Sequence, residues 1–310
     1  MGDASMTADS ARAIAFIGFG EAAQAFLAGW RTEPGFVATL AAYDIKTDSP
    51  DAAVREGKRA DYVRANVIGA STAPAAVAGA TSVFSVVTAD SAHEAAIAAL
   101  PGLAPGAFFF DCDSCAPQTK ARSAKAVDAA GGRYVDVAVM APVHPRLHRT
   151  PLLISGPHAE AALPVLAGLG MAAAIHDGPV GSASAIKMIR SIMMKGLEAL
   201  VAECVLAGTK AGVIDTVLDS LDDTYPGFDW KARSAYMLER VMTHGVRRAA
   251  EMREAALTVE LLGLDPAMSA ASVGWQQAIG ELRLAATPEE AADYRILADK
   301  ILARLPPRQP

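Results

Sequence analysis

The sequence contains little cysteine and no excess of positive charge. Its 310 residues include only three cysteines, Cys112, Cys115 and Cys204, an odd number that cannot supply a disulfide framework. Lysine and arginine total 28 against 34 aspartate and glutamate residues, so the formal charge is −6. Because no long basic run is present, the chain lacks the electrostatic footprint of a nucleic-acid-binding protein. We therefore expect a reducing compartment and a small-molecule partner.

Long apolar runs are absent as well. No stretch reaches the roughly 18 uninterrupted apolar residues that span a bilayer, although hydrophobic residues make up 52% of the chain. The N-terminal segment MGDASMTADSARA lacks the basic-then-apolar order of a secretory signal. These features predict a cytoplasmic protein without a membrane partner, with enough apolar material for one or two domains.

A strand-like segment near the N-terminus breaks into a glycine-rich turn. The run AIAFIGF is apolar, and GFGEAAQAFLAGW has helical spacing. Gly18, Gly20 and Ala23 fit the G-x-G-x-x-G/A pattern of dinucleotide-binding folds. In that pattern the first glycine allows the turn, the second admits a pyrophosphate, and the small third residue lets helix and strand pack closely. We predict cofactor contacts from Gly18, Phe19, Gly20, Glu21, Ala22 and Ala23.

An acidic residue follows this turn at the spacing expected of a ribose ligand. The second predicted strand, VATLAAYD, ends at Asp44, 21 residues after Ala23. Its carboxylate would accept hydrogen bonds from the adenosine ribose and repel the extra phosphate of NADP, which favours NAD. Nearby Lys46 and Arg55 keep NADP open as the alternative, and without a nucleotide Asp44 would merely begin a turn.

Strand-like and helical segments alternate up to about residue 180. The alternation predicts an α/β fold in which residues 1–180 form a Rossmann-type, doubly wound, mostly parallel sheet. Thr88 follows the strand TSVFSVV and is expected to line the cofactor cleft, unless Asp90 or Ser91 simply caps a helix there. Residues 181–310 are predicted to form an all-helical substrate and dimerisation domain, since surplus apolar surface favours a homodimer.

Three motifs, in this order, resemble those of the beta-hydroxyacid dehydrogenase family, which includes 3-hydroxyisobutyrate dehydrogenases and, more distantly, 6-phosphogluconate dehydrogenases. FIGFGEAA resembles the cofactor turn, FFFDCDSCAPQT the substrate segment with its Ser-x-x-Pro, and GSASAIKMIRS the catalytic segment G-x-G-x-x-x-K-x-x-x-N. The resemblance implies an NAD(P)-dependent oxidoreductase of hydroxyacids. It implies that Lys187 is the catalytic lysine and that Ser114, with neighbouring Cys115, contacts the substrate.

The sequence departs from the family pattern at informative positions. Ala183 replaces the second glycine of the catalytic segment, and Ser191 replaces its asparagine. The loop APVHPRLHRTPLLISG lacks the family's paired glycines and instead carries His144, Arg146, His148 and Arg149. We expect His144 to contact a larger or more anionic substrate. The pattern resembles a less characterised, phosphogluconate-dehydrogenase-like branch with a divergent C-terminal domain.

Lys187 is also notable without the family. It shares one face of a largely apolar helix with Ser191 and Glu198. A buried ammonium is costly unless it is paired or functional, and partial burial lowers the pKa of a lysine toward neutrality. We therefore interpret Lys187 as a general acid/base, with Ser191 holding the reacting oxygen or orienting the lysine. The structural alternative is an ion pair with Glu198 or a charge that reaches the surface.

Further charged residues and two other functions remain open at this point. His244 and Arg248 lie four residues apart and are candidates to hold an anionic substrate, whereas Arg247 is expected to pair with Glu251 or Glu254. We predict no metal site, because the C-x-x-C of Cys112 and Cys115 has no second pair. The alternatives are an imine reductase, against which Lys187 argues, and a non-catalytic NAD-binding regulatory protein.

Overall fold

The computed structural model describes residues 12–306, so residues 1–11 of the segment inspected for a secretory signal lie outside the described residues. The chain separates into two compact units between Lys187 and Met188. This point lies seven residues after the boundary predicted at residue 180. Among the described residues, no helix has the length and apolarity needed to cross a membrane.

Unit 1 is built on one eight-stranded sheet. Its strands run in the order β3-β2-β1-β4-β5-β6-β7-β8. Strand β7 pairs antiparallel with β6 and parallel with β8, and every other pairing is parallel. The strands are β1 (Arg12–Ile17), β2 (Ala38–Tyr43), β3 (Ile68–Gly69), β4 (Ser82–Ser85), β5 (Phe108–Asp111), β6 (Arg133–Val139), β7 (Leu152–Ser155) and β8 (Ala173–Ile175).

Six helices connect these strands, and both faces of the sheet are buried. On β1, Ile14 and Phe16 pack into one apolar cluster while Ala15 and Ile17 pack into another, as expected where helices cover both faces. This confirms the predicted α/β fold with a mostly parallel sheet. The helices are α1 (Glu21–Trp30), α2 (Ala52–Arg64), α3 (Ala73–Val77), α4 (Ala92–Ala99), α5 (Pro117–Ala129) and α6 (Ala159–Gly168).

The strand order reverses between β1 and β4. The chain moves outward from β1 to β2 and β3, then returns to place β4 on the other side of β1. In open α/β sheets, ligands bind beyond the carboxyl ends of the strands at such a reversal. A ligand is therefore expected to bind against the segments that follow β1, β4 and β5.

Unit 2 is helical, which confirms the predicted change of architecture. Its core consists mainly of aliphatic and aromatic side chains, among them Leu206, Leu238 and Leu297. Asp229 begins the longest helix of the unit by accepting a hydrogen bond of 3.1 Å from the backbone N–H of Ala232. Helix α7 (Ser182–Ala211) starts in unit 1 and continues into unit 2, followed by α8 (Ile214–Thr224), α9 (Trp230–Leu261), α10 (Ala267–Glu281) and α11 (Tyr294–Leu302).

Candidate cofactor and catalytic site

The turn between β1 and α1 has the backbone that a pyrophosphate needs. Gly18 has a φ of +83°, and a Cβ there would lie 2.7 Å from the backbone oxygen of Val86. At Gly20 a Cβ would meet nothing within 4 Å, so the space above this residue is open. Gly20 also begins α1 without a side-chain cap. The N-terminus of α1 can therefore receive an anionic group, and the residues present fit a dinucleotide.

Phe19 contributes to this turn through its backbone. Its ring is fully buried and lies 5.3 Å from the Tyr62 ring, centroid to centroid. Its N–H donates a hydrogen bond of 2.8 Å to Asp44, and its carbonyl oxygen accepts one of 2.7 Å from the Lys58 ammonium. Since both backbone groups of Phe19 are engaged within the protein, this residue fixes the shape of the turn.

Asp44 lies directly after β2 and is nearly buried. One of its carboxylate oxygens binds the Phe19 N–H, and the other accepts a hydrogen bond of 2.9 Å from the N–H of Lys46. The Lys58 ammonium is 3.8 Å from the same carboxylate and also pairs with Asp61 at 2.8 Å. Asp44 is thus held beside the glycine turn, as the spacing predicted. Sequence reasoning missed Lys58, because nothing in the polar stretch REGKRAD distinguishes this lysine from its charged neighbours.

The remaining residues that were predicted to contact the cofactor differ in how exposed they are. Glu21 is exposed at the first position of α1, Ala22 is half-buried, and Ala23 is buried against the sheet. Thr88 is exposed after β4, and its hydroxyl lies 3.4 Å from that of Ser91. Ala23 therefore has the packing role expected of the third small residue, while Glu21 and Thr88 present side chains to solvent.

The segment after β5 carries Ser114 between two cysteines, and the charge of Lys187 acts on one of them. Ser114 is half-buried, whereas Cys112 and Cys115 are buried. Burial raises the pKa of the Cys112 thiol well above its usual range, and the charges of Lys120 and Lys187 oppose that rise. The charge of Lys187 is thus one of the influences on the Cys112 thiol, after burial and the charges of nearer groups. Cys115 has no exposed surface, so its side chain offers nothing to a substrate in this conformation.

The start of α7 packs directly against the start of α5. Gly181 has a φ of +98°, and a Cβ there would lie 2.9 Å from both the Cβ and the carbonyl oxygen of Pro117. Pro117 ends the Ser-x-x-Pro motif, and Gly181 opens the segment that contains Lys187. Two of the three motifs found in the sequence therefore touch, and a glycine is required at the contact.

A buried polar network underlies these motifs, and sequence reasoning missed it. The Lys120 ammonium donates to a carboxylate oxygen of Asp111 at 2.7 Å and lies 3.7 Å from Asp136. Tyr134 donates to the other Asp111 oxygen at 2.5 Å. Burial acts to lower the pKa of Lys120, but the nearby anionic groups, Asp111 foremost, raise it above its usual value. Burial and the charge of Asp111 raise the pKa of Asp113.

The four basic residues of the loop between β6 and β7 lie in two different environments. His144 and Arg146 are exposed. His148 is buried, and its ring lies 2.7 Å from the carboxylate of Glu33, which Arg149 also contacts at 2.7 Å. His148 and Arg149 therefore attach this loop to the end of α1. His144, the residue of this loop that was predicted to contact a substrate, is not part of that attachment.

Within unit 2, Ser191 and Arg248 belong to a buried polar cluster. The Lys195 ammonium donates to the Ser191 hydroxyl at 2.8 Å and pairs with Glu251 at 2.8 Å. Arg248 forms an ion pair with Glu198. Glu198 is therefore engaged by a residue other than Lys187, and Arg248 already has a carboxylate partner.

Arg247 and His244 lie next to this cluster on α9. Arg247 pairs with Glu251 at 3.1 Å, which confirms the expected structural role of Arg247. His244 is half-buried one turn earlier on α9. Burial lowers the pKa of Lys195, and the charge of Glu251 opposes this shift. Lys195 was missed because only its spacing, four residues after Ser191, marks it in the sequence.

In residues 12–306, no group of three or more histidine, cysteine or carboxylate side chains is arranged to hold a metal ion.

Comparison with known proteins decides the family. Residues 13–176, more than half of the chain, match the NAD-binding domain of 6-phosphogluconate dehydrogenase. The chain belongs to this family. Residues 209–279 match a second family, a domain of unknown function. The resemblance to hydroxyacid dehydrogenases with an unusual C-terminal part is thereby confirmed.

Solved structures extend the family relationship over nearly the whole chain. A conserved hypothetical protein from Sinorhizobium meliloti 1021 is 36% identical, with 96% of this chain and 98% of that chain covered and a TM-score of 0.70. A conserved protein of unknown function, reported as similar to 3-hydroxyacid dehydrogenases, is 25% identical, with coverage of 88% and 100% and a TM-score of 0.62. The similarity reported for the second protein agrees with the family assigned from residues 13–176.

More distant matches agree in fold or cover less of the chain. The 3-hydroxyisobutyrate dehydrogenase of Mycobacterium tuberculosis, solved with L-serine, is 16% identical over 94% of this chain and 99% of that chain, with a TM-score of 0.65. An uncharacterized 28.5 kDa protein of Methanothermus fervidus is 29% identical over 116 residues. The chain spans 44% of the length of that curated relative.

Proposed function

We propose that the protein is an NAD(P)-dependent oxidoreductase that interconverts a hydroxyacid and the matching carbonyl acid, with Lys187 as the general acid/base. The observation that carries the proposal is the convergence of the Lys187 helix on the segment after β5, where Gly181 packs on Pro117 and the Lys187 charge influences Cys112. This convergence supports a role for the Lys187 amine near the carboxyl ends of the strands, where open α/β sheets bind ligands.

Each residue has a distinct role in this proposal. The bound nicotinamide supplies hydride acceptance or donation. Lys187 accepts the hydroxyl proton of the substrate during oxidation and returns it to the carbonyl oxygen during reduction. The half-buried hydroxyl of Ser114 binds a polar group of the substrate. We assign Ser191, whose hydroxyl accepts a hydrogen bond from Lys195 on the same helix, to orienting Lys187.

We infer NAD as the preferred cofactor. The negative charge of Asp44 at the end of β2 disfavours the additional phosphate of NADP. Each carboxylate oxygen of Asp44 retains a lone pair that can accept a hydrogen bond from a ribose hydroxyl. The Lys58 ammonium, 3.8 Å from the Asp44 carboxylate, partly neutralises its charge, and the exposed Lys46 lies two residues after Asp44 in the chain. The preference for NAD is therefore expected to be moderate in size.

We infer an anionic substrate and a homodimer from the surfaces of the two units. His144 and Arg146 are exposed on the loop after β6, where Arg146 is a cation and His144 can become one, so an anionic substrate is favoured.

The homodimer is inferred from unit 2, which exposes Met193, Leu200 and Tyr236, each by more than half of its surface. Such large apolar side chains favour burial against a second copy. Light scattering of the purified protein would give a single dimeric mass, whereas a monomer at micromolar concentration would contradict this part.

The test of the proposal begins with nucleotide binding. The purified protein is titrated with NADH and NADPH by fluorescence, then screened with 3-hydroxyacids, aldehyde acids and imines for absorbance change of the reduced nicotinamide. Tight NADH binding together with turnover of an acid substrate is the expected result. Binding without turnover across the screen would favour a regulatory, non-catalytic protein, and turnover confined to imines would replace the proposed reaction.

A further inference from the structure

Asp136 is a buried carboxylate that caps the start of α7. It lies on β6 with no exposed surface. One carboxylate oxygen accepts hydrogen bonds from the backbone N–H of Gly181 at 3.0 Å and of Ser184 at 3.1 Å. The other oxygen accepts the Ser184 hydroxyl at 2.5 Å. A negative charge in this place satisfies free N–H groups and interacts favourably with the helix dipole.

Ser155 on β7 completes the cap. Its hydroxyl donates to Asp136 at 2.9 Å and accepts the backbone N–H of Ala183 at 3.0 Å. Side chains from two neighbouring strands thus hold three backbone N–H groups at the beginning of α7. The contact of Gly181 with Pro117 limits movement toward α5. The first turn of α7 is therefore held by the sheet on one side and by α5 on another.

The same carboxylate is linked to the segment that carries Ser114. Lys120 lies 3.7 Å from Asp136 and donates to Asp111 at 2.7 Å. Asp111 in turn accepts the backbone N–H of Asp113 at 3.0 Å. All of these groups are at least 98% buried, so the charges interact in an environment with little water. The network connects the N-terminus of α7 with the residue immediately before Ser114.

We propose that Asp136 is a positioning residue that sets the place of the Lys187 amine relative to Ser114. The inference rests on the proposed function of Lys187 and assigns no chemical step to Asp136 itself. Lys187 lies three residues after Ser184, which corresponds to about 4.5 Å along the helix axis. A displacement of the first turn is therefore passed directly to the lysine, and misplacement by about 1 Å can lower turnover roughly 100-fold.

Three variants separate this role from general stability. Asp136→Asn removes the charge of the cap, and Ser184→Ala removes only the 2.5 Å hydrogen bond. Ser182→Ala is the matched control, because Ser182 lies on the same turn and its hydroxyl forms no hydrogen bond within residues 12–306. If Asp136→Asn fails to fold, Ser184→Ala still tests the proposal. Circular dichroism establishes which variants are folded.

The first measurement does not depend on activity. Amide hydrogen exchange is followed in a peptide covering residues 178–192, and acylation of Lys187 is measured across pH relative to the exposed Lys125 of the same sample. Ser184→Ala is expected to accelerate exchange at the start of α7 by about 10- to 100-fold, the effect of losing a hydrogen bond to a charged group. It should also alter the relative acylation rate of Lys187, whereas Ser182→Ala should match the wild type.

The second measurement uses the best substrate found for the wild type. Ser184→Ala is expected to lower kcat and shift its pH profile, with the affinity for NADH unchanged. Unchanged exchange and unchanged Lys187 acylation in both folded cap variants would overturn the positioning role. Full activity in Lys187→Ala would overturn the proposed function instead. The two failures are therefore distinguishable.

Discussion

The backbone N–H of Phe19 donates a hydrogen bond of 2.8 Å to the carboxylate of Asp44. This contact joins the turn after β1 to the end of β2, two segments that lie 25 residues apart in the sequence. Since the same carboxylate is expected to discriminate between nucleotides, its charge affects both the shape of the turn and the choice of cofactor.

Removal of this charge is expected to change nucleotide preference. Asp44→Asn keeps an oxygen for the Phe19 N–H but no longer repels a phosphate, so the ratio of NADPH affinity to NADH affinity should rise about tenfold, the equivalent of about 1.4 kcal/mol. Fluorescence titration with both nucleotides measures the ratio. Asp48→Asn is the control, because Asp48 lies four residues further on and bonds to Tyr43. An unchanged ratio in Asp44→Asn would remove Asp44 from the selection of cofactor.

The two glycines of the turn are expected to respond differently to alanine. Gly18→Ala places a Cβ 2.7 Å from the Val86 oxygen at a φ of +83°, so both the melting temperature and NADH binding should fall. Gly20→Ala meets no protein atom within 4 Å and should leave the melting temperature unchanged. It should nevertheless weaken NADH binding, because the methyl group occupies the space expected for the pyrophosphate. Thermal unfolding and NADH titration of both variants distinguish these effects; wild-type affinity in Gly20→Ala would place the nucleotide elsewhere.

The contact between α9 and α10 gives a second pair of glycine variants. A Cβ at Gly245 would lie 2.3 Å from the backbone oxygen of Gln276, so the backbones of α9 and α10 would have to move apart. Gly245→Ala is therefore expected to destabilise the protein by about 2 kcal/mol or more. Gly274→Ala, on the open side of α10, should raise stability by about 0.5–1 kcal/mol through its better helix propensity. Urea unfolding gives both values, and equal effects would contradict the close approach of the two helices.

Lys195 predicts a specific dependence of stability on pH. Burial lowers its pKa in the folded protein below the ordinary value of 10.5. Between the lowered value and 10.5, the unfolded chain binds more protons at this site, so wild-type stability should rise with pH in that window. Lys195→Met lacks this contribution, and the exposed Lys210 supplies the control Lys210→Met. Urea unfolding from pH 7 upward measures the difference between wild type and variant, and a constant difference across the window would show that Lys195 does not titrate differently on folding.

Local patterns in the sequence predicted the cofactor turn and the sheet because their causes are local. Gly18 and Gly20 are determined by the backbone of one turn, and each strand by a short apolar run. Asp44 was found because the length of a β-α-β unit fixes its distance from the turn. The family resemblance located Lys187 and Ser114, which single motifs identify only weakly.

The residues that sequence analysis missed or misjudged depend on distant partners. Asp136 lies in an apolar strand and bonds to residues up to 48 positions away, and its neighbour Lys120 occupies a helix of ordinary polarity. His148, for which the sequence indicated no partner, contacts Glu33, 115 residues earlier. No spacing rule within one segment reveals such contacts, because they arise only when the strands are ordered in the sheet.

The most direct test of the central claim is the steady-state turnover of Lys187→Ala beside the wild type, with Lys210→Ala as a control on the same helix. If Lys187 is the general acid/base, Lys187→Ala loses about two to four orders of magnitude in kcat while its affinity for NADH is nearly unchanged, and Lys210→Ala behaves as the wild type. Wild-type turnover in Lys187→Ala, with the variant folded and binding NADH, would contradict the assignment of Lys187 as the general acid/base.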